Sequence, residues 1–388
     1  MTRLSRVVAR LGLRYPGGPA LEEERHATWL ELFFDLVFVL ALSGVTARLT
    51  DDQPAAGEIG AAIGIYLLVQ WAWVGQAYFD TRFDADDTLH RLITLVATAG
   101  AGIIALGVER APHGVLLPVG YLVVRGALLL MYLRVAASDR SAREVAAVYE
   151  IGFGTGWLLW FGSLALPEGT RPVLWIVALA IEMATPWLGR RWLNRHPVHT
   201  THLPERLGQF IIILLGAELA SLREAVPLSQ PPGRALAAAG IAILVPIAIW
   251  WIYTTFVTSG LPVRRLGNGQ AYGYLHSPAG ASTLFIGWGL GQLVRSIAEG
   301  HHTVPLTLRL VYGGSLVGWM LVGTGLQWFT VGHLEPRRQL ISAVGVPGMA
   351  VLTATITDPE LLLGLTAALL TGYAALVSPQ ITRLTQRL

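Results

Sequence analysis

Arg25-His26-Ala27-Thr28-Trp29-Leu30-Glu31-Leu32-Phe33-Phe34-Asp35-Leu36-Val37-Phe38-Val39-Leu40-Ala41-Leu42-Ser43-Gly44 is the stretch whose reading decides the fold. It is apolar enough to enter a bilayer, yet it carries two carboxylates near its start. Glu31 and Asp35 stand four residues apart and share one face of a helix, with Thr28, Ser43 and Thr46 close to the same stripe. An acidic group deep in a span costs roughly 2.5 to 3.5 kcal/mol on insertion scales, so such groups face protein or water. The competing reading leaves both carboxylates solvated at the interface beside a positively charged region. If both are buried, like charges one turn apart repel while losing hydration, and either a proton or an arginine must relieve them. Arg125, set in an apolar run, is the leading expected partner, and Arg25 the alternative.

The rest of the chain has the same character. Of 388 residues, 53% are hydrophobic and 14% charged. A soluble chain carries about 25% charged residues, so the class is a polytopic membrane protein. The absence of cysteine excludes disulfides and thiolate metal sites. Every one of the 28 basic residues is arginine. The net charge of +3 does not point to nucleic acid here, because the arginines lie between apolar runs. Met1 to Arg14 lacks the uninterrupted apolar core and small-residue cleavage site of a signal peptide, and residues 1–24 read as a cytoplasmic basic segment.

A span needs about 20 apolar residues. Twelve runs qualify: 28–49, 58–79, 89–108, 115–135, 145–165, 172–189, 207–224, 235–257, 273–293, 304–326, 338–356 and 359–377. The fold expected is therefore all-α, with about twelve transmembrane helices. With the N-terminus inside, 20 arginines fall on cytoplasmic segments and 6 outside, which places both termini in the cytoplasm of a multi-pass protein of the cell membrane. The halves share markers: Glu24-Arg25 and Glu205-Arg206, Trp71-Ala72-Trp73 and Trp250-Trp251, Leu89-His90 and Leu275-His276. They suggest two parallel six-helix repeats, 25–190 and 206–388, joined by a cytoplasmic linker, 191–205.

Chemistry concentrates in a few intramembrane groups. Arg125 cannot easily snorkel from mid-span and wants a carboxylate. Glu182 lies in the sixth run ahead of Pro186, and Glu218 in the seventh after Gly216. Pro246 and Pro347 interrupt the eighth and eleventh runs, freeing backbone that is tolerated where it is buried or lines a polar cavity. Glu31, Asp35, Arg125, Glu182, Glu218 and Arg25 are thus the expected ion or solute pathway, or else a buried charge network. His196, His199 and His202 have a ligand-like spacing, but Pro197 and Pro204 argue against a regular helix, and no metal is expected. Asp84, Asp86 and Asp87 have the chemistry of a cation site, but read better as a solvated helix cap before the third run. Gly152-Phe153-Gly154-Thr155-Gly156 lies in an apolar run and is no phosphate loop. No catalytic signature and no cofactor motif is present.

The first stretch, with Thr81-Arg82-Phe83-Asp84-Ala85-Asp86-Asp87 and with Glu205-Arg206-Leu207-Gly208 running into Leu215-Gly216, resembles the low temperature requirement protein A (LtrA) family. That resemblance spreads over most of the chain and implies a bacterial multi-span membrane protein linked to growth in the cold. It implies no molecular activity. From the residues, the leading expectation is a transporter or channel for an ion, protons among them, or for a small solute. Its partners are then that solute and membrane lipids, with no nucleic acid. The alternatives are an intramembrane enzyme acting on a lipid or lipid-linked substrate and a structural or sensory membrane protein.

Overall fold

The computed structural model describes residues 27–83, 87–199, 202–226, 232–258, 269–331 and 336–387, which form helices and turns without a strand. Arg25, the basic segment 1–24, Asp84 and Asp86 lie outside the described residues. All twelve apolar runs contain helix. They are α1 (Trp29–Ala47), α2 (Ala56–Arg82), α3 (Thr88–Gly107), α4 (Leu116–Ser138), α5 (Arg143–Ser163), α6 (Arg171–Leu188) and α7 (His202–Ala225). The eighth run splits into α8 (Gly233–Ala242) and α9 (Leu244–Thr258), followed by α10 (Gln270–Glu299), α11 (Leu306–Val331), α12 (Pro336–Thr355) and α13 (Pro359–Arg387). Among the described residues, eight helical stretches are long and apolar enough to cross a membrane; α5, α7, α10 and α12 are less apolar.

Local chemistry sets the helix ends. Thr28 and Glu31 form a reciprocal capping box: the Glu31 N–H donates to Thr28 Oγ1 at 3.2 Å and the Thr28 N–H to Glu31 Oε2 at 2.9 Å. Asp87 caps α3, accepting from the His90 N–H at 3.0 Å. Partial burial pushes the Asp87 carboxyl up, but its hydrogen bonds from Arg134 and the His90 N–H win and hold it below the usual carboxylate range. The break at Ile243 comes three residues before Pro246, which cannot donate to the Ala242 carbonyl and crowds it.

α1 shows how the helices divide their faces. Glu31, Asp35, Phe38 and Leu42 are buried, while Trp29, Phe33, Leu36 and Leu40 are exposed on the opposite stripe. An outward row of large apolar side chains is a lipid-facing surface. Both carboxylates therefore lie inside the protein and not at a solvated interface.

The chain forms two compact units, one of residues 1–45, 64–206 and 267–270, the other of residues 46–63, 207–266 and 271–388. In the first, α3, α4, α5 and α6 pack in sequence order. Gly100 and Gly120 bring α3 and α4 together so closely that a Cβ on Gly120 would lie 2.7 Å from the Gly100 carbonyl oxygen. Residues 196–199 are pinned to the end of α2: Arg82 Nε donates to the His196 carbonyl at 2.7 Å, and the His199 N–H to the Thr81 carbonyl at 2.8 Å. That anchor sets where α7 begins. In the second unit, α13 packs against α8, α9 and α12, and α12 against α11. The tryptophan markers differ in environment: Trp71 and Trp73 are buried, whereas Trp250 and Trp251 are exposed.

Candidate functional site

The intramembrane acids singled out by the sequence fall in three buried sites among the described residues. The first joins α1 to the start of α7 within the first unit. α7 begins at His202, five residues before the expected start of the seventh span, with Pro204 in its first turn, where proline is tolerated. His202 and Arg206 consequently fall on one face, four residues apart, opposite Glu31 and Asp35 with the same spacing. Arg206 Nη2 meets Asp35 Oδ1 at 2.8 Å and Nη1 approaches Glu31 Oε2 at 3.3 Å. His202 Nε2 lies 3.6 Å from Glu31 Oε1, and Trp73 Nε1 donates to Asp35 Oδ1 at 2.7 Å. Asp35 and Arg206 are both 0% exposed. Among the described residues the two acids share one guanidinium, with His202 beside Glu31. Asp35 Oδ2 is buried without a hydrogen-bond donor, so the cluster is not saturated.

An arginine does meet the two acids, but it is Arg206 and not Arg125. Arg125 is committed to the second site. Its Nε donates to Glu182 Oε2 at 2.7 Å, and its Nη2 donates to the Trp71 carbonyl at 2.8 Å and the Tyr121 hydroxyl at 3.2 Å. Tyr121 donates to the same Glu182 oxygen at 2.7 Å, and the guanidinium lies 4.4 Å from the Phe153 ring centroid. Room for the pair comes from glycine. A Cβ on Gly75 would stand 2.1 Å from Arg125 Nη1, and one on Gly156 would stand 2.4 Å from Glu182 Oε1. Gly152, one turn before Gly156, admits Thr185 in the same way. This site ties α2, α4, α5 and α6 together.

The third site, in the second unit, repeats the packing device without the counter-charge. Gly287-Trp288-Gly289-Leu290-Gly291 on α10 lets α7 approach closely, as small residues do at membrane helix crossings. A Cβ on Gly287 would lie 2.6 Å from Glu218 Cγ and 3.0 Å from its Cα; one on Gly291 would lie 3.3 Å from the Ser221 carbonyl oxygen. Glu218 is buried like Glu182, yet neither of its oxygens has a hydrogen-bond partner among the described residues. Among the described residues no arginine pairs with it, and Tyr312 of α11, which packs on Gly289 nearby, has its hydroxyl 3.1 Å from Thr366 Oγ1 instead. Gly287→Ala is expected to force α7 and α10 apart and to destabilise by about 1–3 kcal/mol, read as a lowered melting temperature in detergent. Gly323→Ala on α11, where an added Cβ meets nothing within 4 Å, should be neutral or slightly stabilising.

Of the sequence-predicted residues, Glu31 and Asp35 thus come together, Arg125 and Glu182 come together elsewhere in the same unit, and Glu218 stands apart; Arg25 lies outside the described residues. Arg206, His202, Trp73 and Tyr121 were not foreseen as members of these sites. Arg206 did lie in a noted segment, Glu205-Arg206-Leu207-Gly208, but its helix was expected to begin after it. No group of three or more metal-ligating side chains occurs among the described residues. Two larger grooves, about 930 Å³ between α5 and α6 and about 450 Å³ between α9 and α13, are lined by apolar side chains and touch none of these intramembrane acids.

Comparison with known proteins places these residues in context. The family model described as bacterial low temperature requirement A protein (LtrA) matches residues 26–376. A Rhizobium meliloti (strain 1021) protein, named only as uncharacterized, is 28% identical over 246 residues, covering 60% of this chain and 59% of that protein. The chain thus spans less than two thirds of the length of that relative. No solved structure matches it.

Proposed function

The chain belongs to the bacterial low temperature requirement A protein family, and from that premise we propose that it moves protons, or a small solute coupled to them, across the cell membrane. The observation that carries this reading is Glu218. An ionised carboxylate buried without partners costs several kcal/mol. Glu182, held against glycine in the same manner, accepts from an arginine and a tyrosine; Glu218 accepts from no group among the described residues, and a proton would neutralise it. The Glu31–Asp35–Arg206–His202 cluster, in which two acids meet one arginine among the described residues, supplies a second group able to gain and lose a proton. On this reading the protein is not an enzyme and uses no cofactor. Its partners are lipids and the transported ion or solute. Twelve spans, cytoplasmic termini and two parallel six-helix repeats belong to the same proposal, as does support of growth in the cold. A structural role in the membrane draws on the Arg125–Glu182 pair, which binds four helices.

The test is flux in proteoliposomes carrying an internal pH-sensitive dye. The parent protein should dissipate an imposed pH gradient, and Glu218→Gln should slow that at least about tenfold while keeping its melting temperature. A parent that leaves the gradient intact with every solute offered, or a Glu218→Gln variant as fast as the parent, overturns the reading.

A further inference from the structure

The second unit also holds a buried cation, Arg338, with no anion beside it among the described residues. Arg338, in the first turn of α12, is 2% exposed. Its Nε donates to Gln327 Oε1 at 2.8 Å, its Nη1 donates to the Tyr373 hydroxyl at 2.8 Å, and its guanidinium lies 5.1 Å from the Tyr373 ring centroid. All of these partners are neutral. Among the described residues no carboxylate comes within ion-pair distance of Arg338. Arginine does not shed its charge in proteins, so the burial cost cannot be escaped by losing a proton. It can be offset by an anion.

There is room for one. Arg338, Gln327 and Tyr373 open onto a cavity of about 30 Å³ whose other walls include Tyr253, Phe256 and Trp319. One water needs roughly 10–15 Å³ of such space, so the cavity takes a halide or a carboxylate group and excludes a sugar or nucleotide. Position adds to the field, because the first turn of a helix presents the positive end of its dipole. The hydroxyls nearby are not equally available. His276 Nδ1 sits 2.7 Å from the Tyr272 carbonyl, so that nitrogen carries the hydrogen, and Nε2 accepts from Tyr253 at 2.9 Å. Tyr253 therefore offers its ring and not its hydroxyl. The Tyr373 hydroxyl accepts from Arg338, and its own hydrogen has only a long contact of 3.3 Å to Ser342 Oγ. Gly345 holds that ring in place, since a Cβ there would lie 3.0 Å from Tyr373 Cδ2.

We propose that the second unit contains a binding site for a small monovalent anion, a halide or a carboxylate, held by Arg338 and the Tyr373 hydroxyl between aromatic walls. A ligand that binds only the folded state raises its melting temperature in proportion to the logarithm of its concentration. The full-length protein in detergent is therefore melted in rising chloride, and separately formate, against gluconate at constant ionic strength. The parent should gain several degrees with chloride or formate. Arg338→Gln should lose that gain, while Arg337→Gln, at the exposed neighbour, should keep it. Tyr373→Phe should weaken the apparent affinity severalfold. A parent whose melting temperature ignores both anions overturns the proposal, and so does an Arg338→Gln variant that responds like the parent. If Arg338→Gln does not fold, Tyr373→Phe decides, and an unchanged apparent affinity overturns it.

Discussion

Arg206→Gln should destabilise the folded protein by about 3–5 kcal/mol, the usual cost of removing one member of a buried ion pair. The reason is geometric. Arg206 is the cation that reaches both Asp35, at 2.8 Å, and Glu31, at 3.3 Å. Without it two carboxylates remain buried, and the Trp73 indole N–H and the capping hydrogen bond of Thr28 do not replace a full charge. Asp35→Asn in the same chain should recover a large share of the loss. The amide removes one negative charge and can still accept from Trp73. Unfolding of the four variants of this cycle in detergent measures the coupling, and additivity within about 0.5 kcal/mol would show that the residues do not interact.

Glu182→Gln should be comparably damaging, by about 3–5 kcal/mol, but for the opposite sign of orphaned charge. It strands Arg125, which is 0% exposed and cannot deprotonate. The informative comparison is the double variant Arg125→Met and Glu182→Met. Apolar side chains of similar length fill much of the space without leaving a charge, so the double should cost less than the Glu182→Gln single change. If it costs more, the pair contributes specific hydrogen bonds to Tyr121 and the Trp71 carbonyl that packing cannot replace. The parent and the two variants melted side by side give the answer.

The membrane class and the helical runs were legible because hydropathy needs no tertiary information. The burial of Glu31 and Asp35 was legible too, since two acids at helical spacing beside a row of Leu and Phe divide α1 into two faces. Their partner was not. It depends on the first turn of α7, where Pro204, which in the sequence argues against a helix, stands in the helix's first turn. The role of Gly152 and Gly156 was equally hidden. Their segment resembled a loop motif only in composition, and its use, admitting Thr185 and Glu182, exists only once α5 and α6 are packed. Glu218 was picked out as an intramembrane acid, but its lack of a partner is a property of the packed second unit and has no trace in the spacing.

The capped and charged first helix carries a consequence for synthesis. Thr28 is beside Glu31 from the start, but Trp73 follows Asp35 by 38 residues and Arg206 follows it by 171. At about 5–20 residues per second on the ribosome, the wait for the guanidinium is roughly 10–30 s. Throughout that interval the leading span carries two acids without the arginine that meets them in the folded protein, so it is a poor candidate for unaided release into lipid. The insertion machinery must hold it, or the bilayer surface must, until the start of α7 emerges. A nascent chain interrupted before Arg206 would leave the same two acids without that arginine.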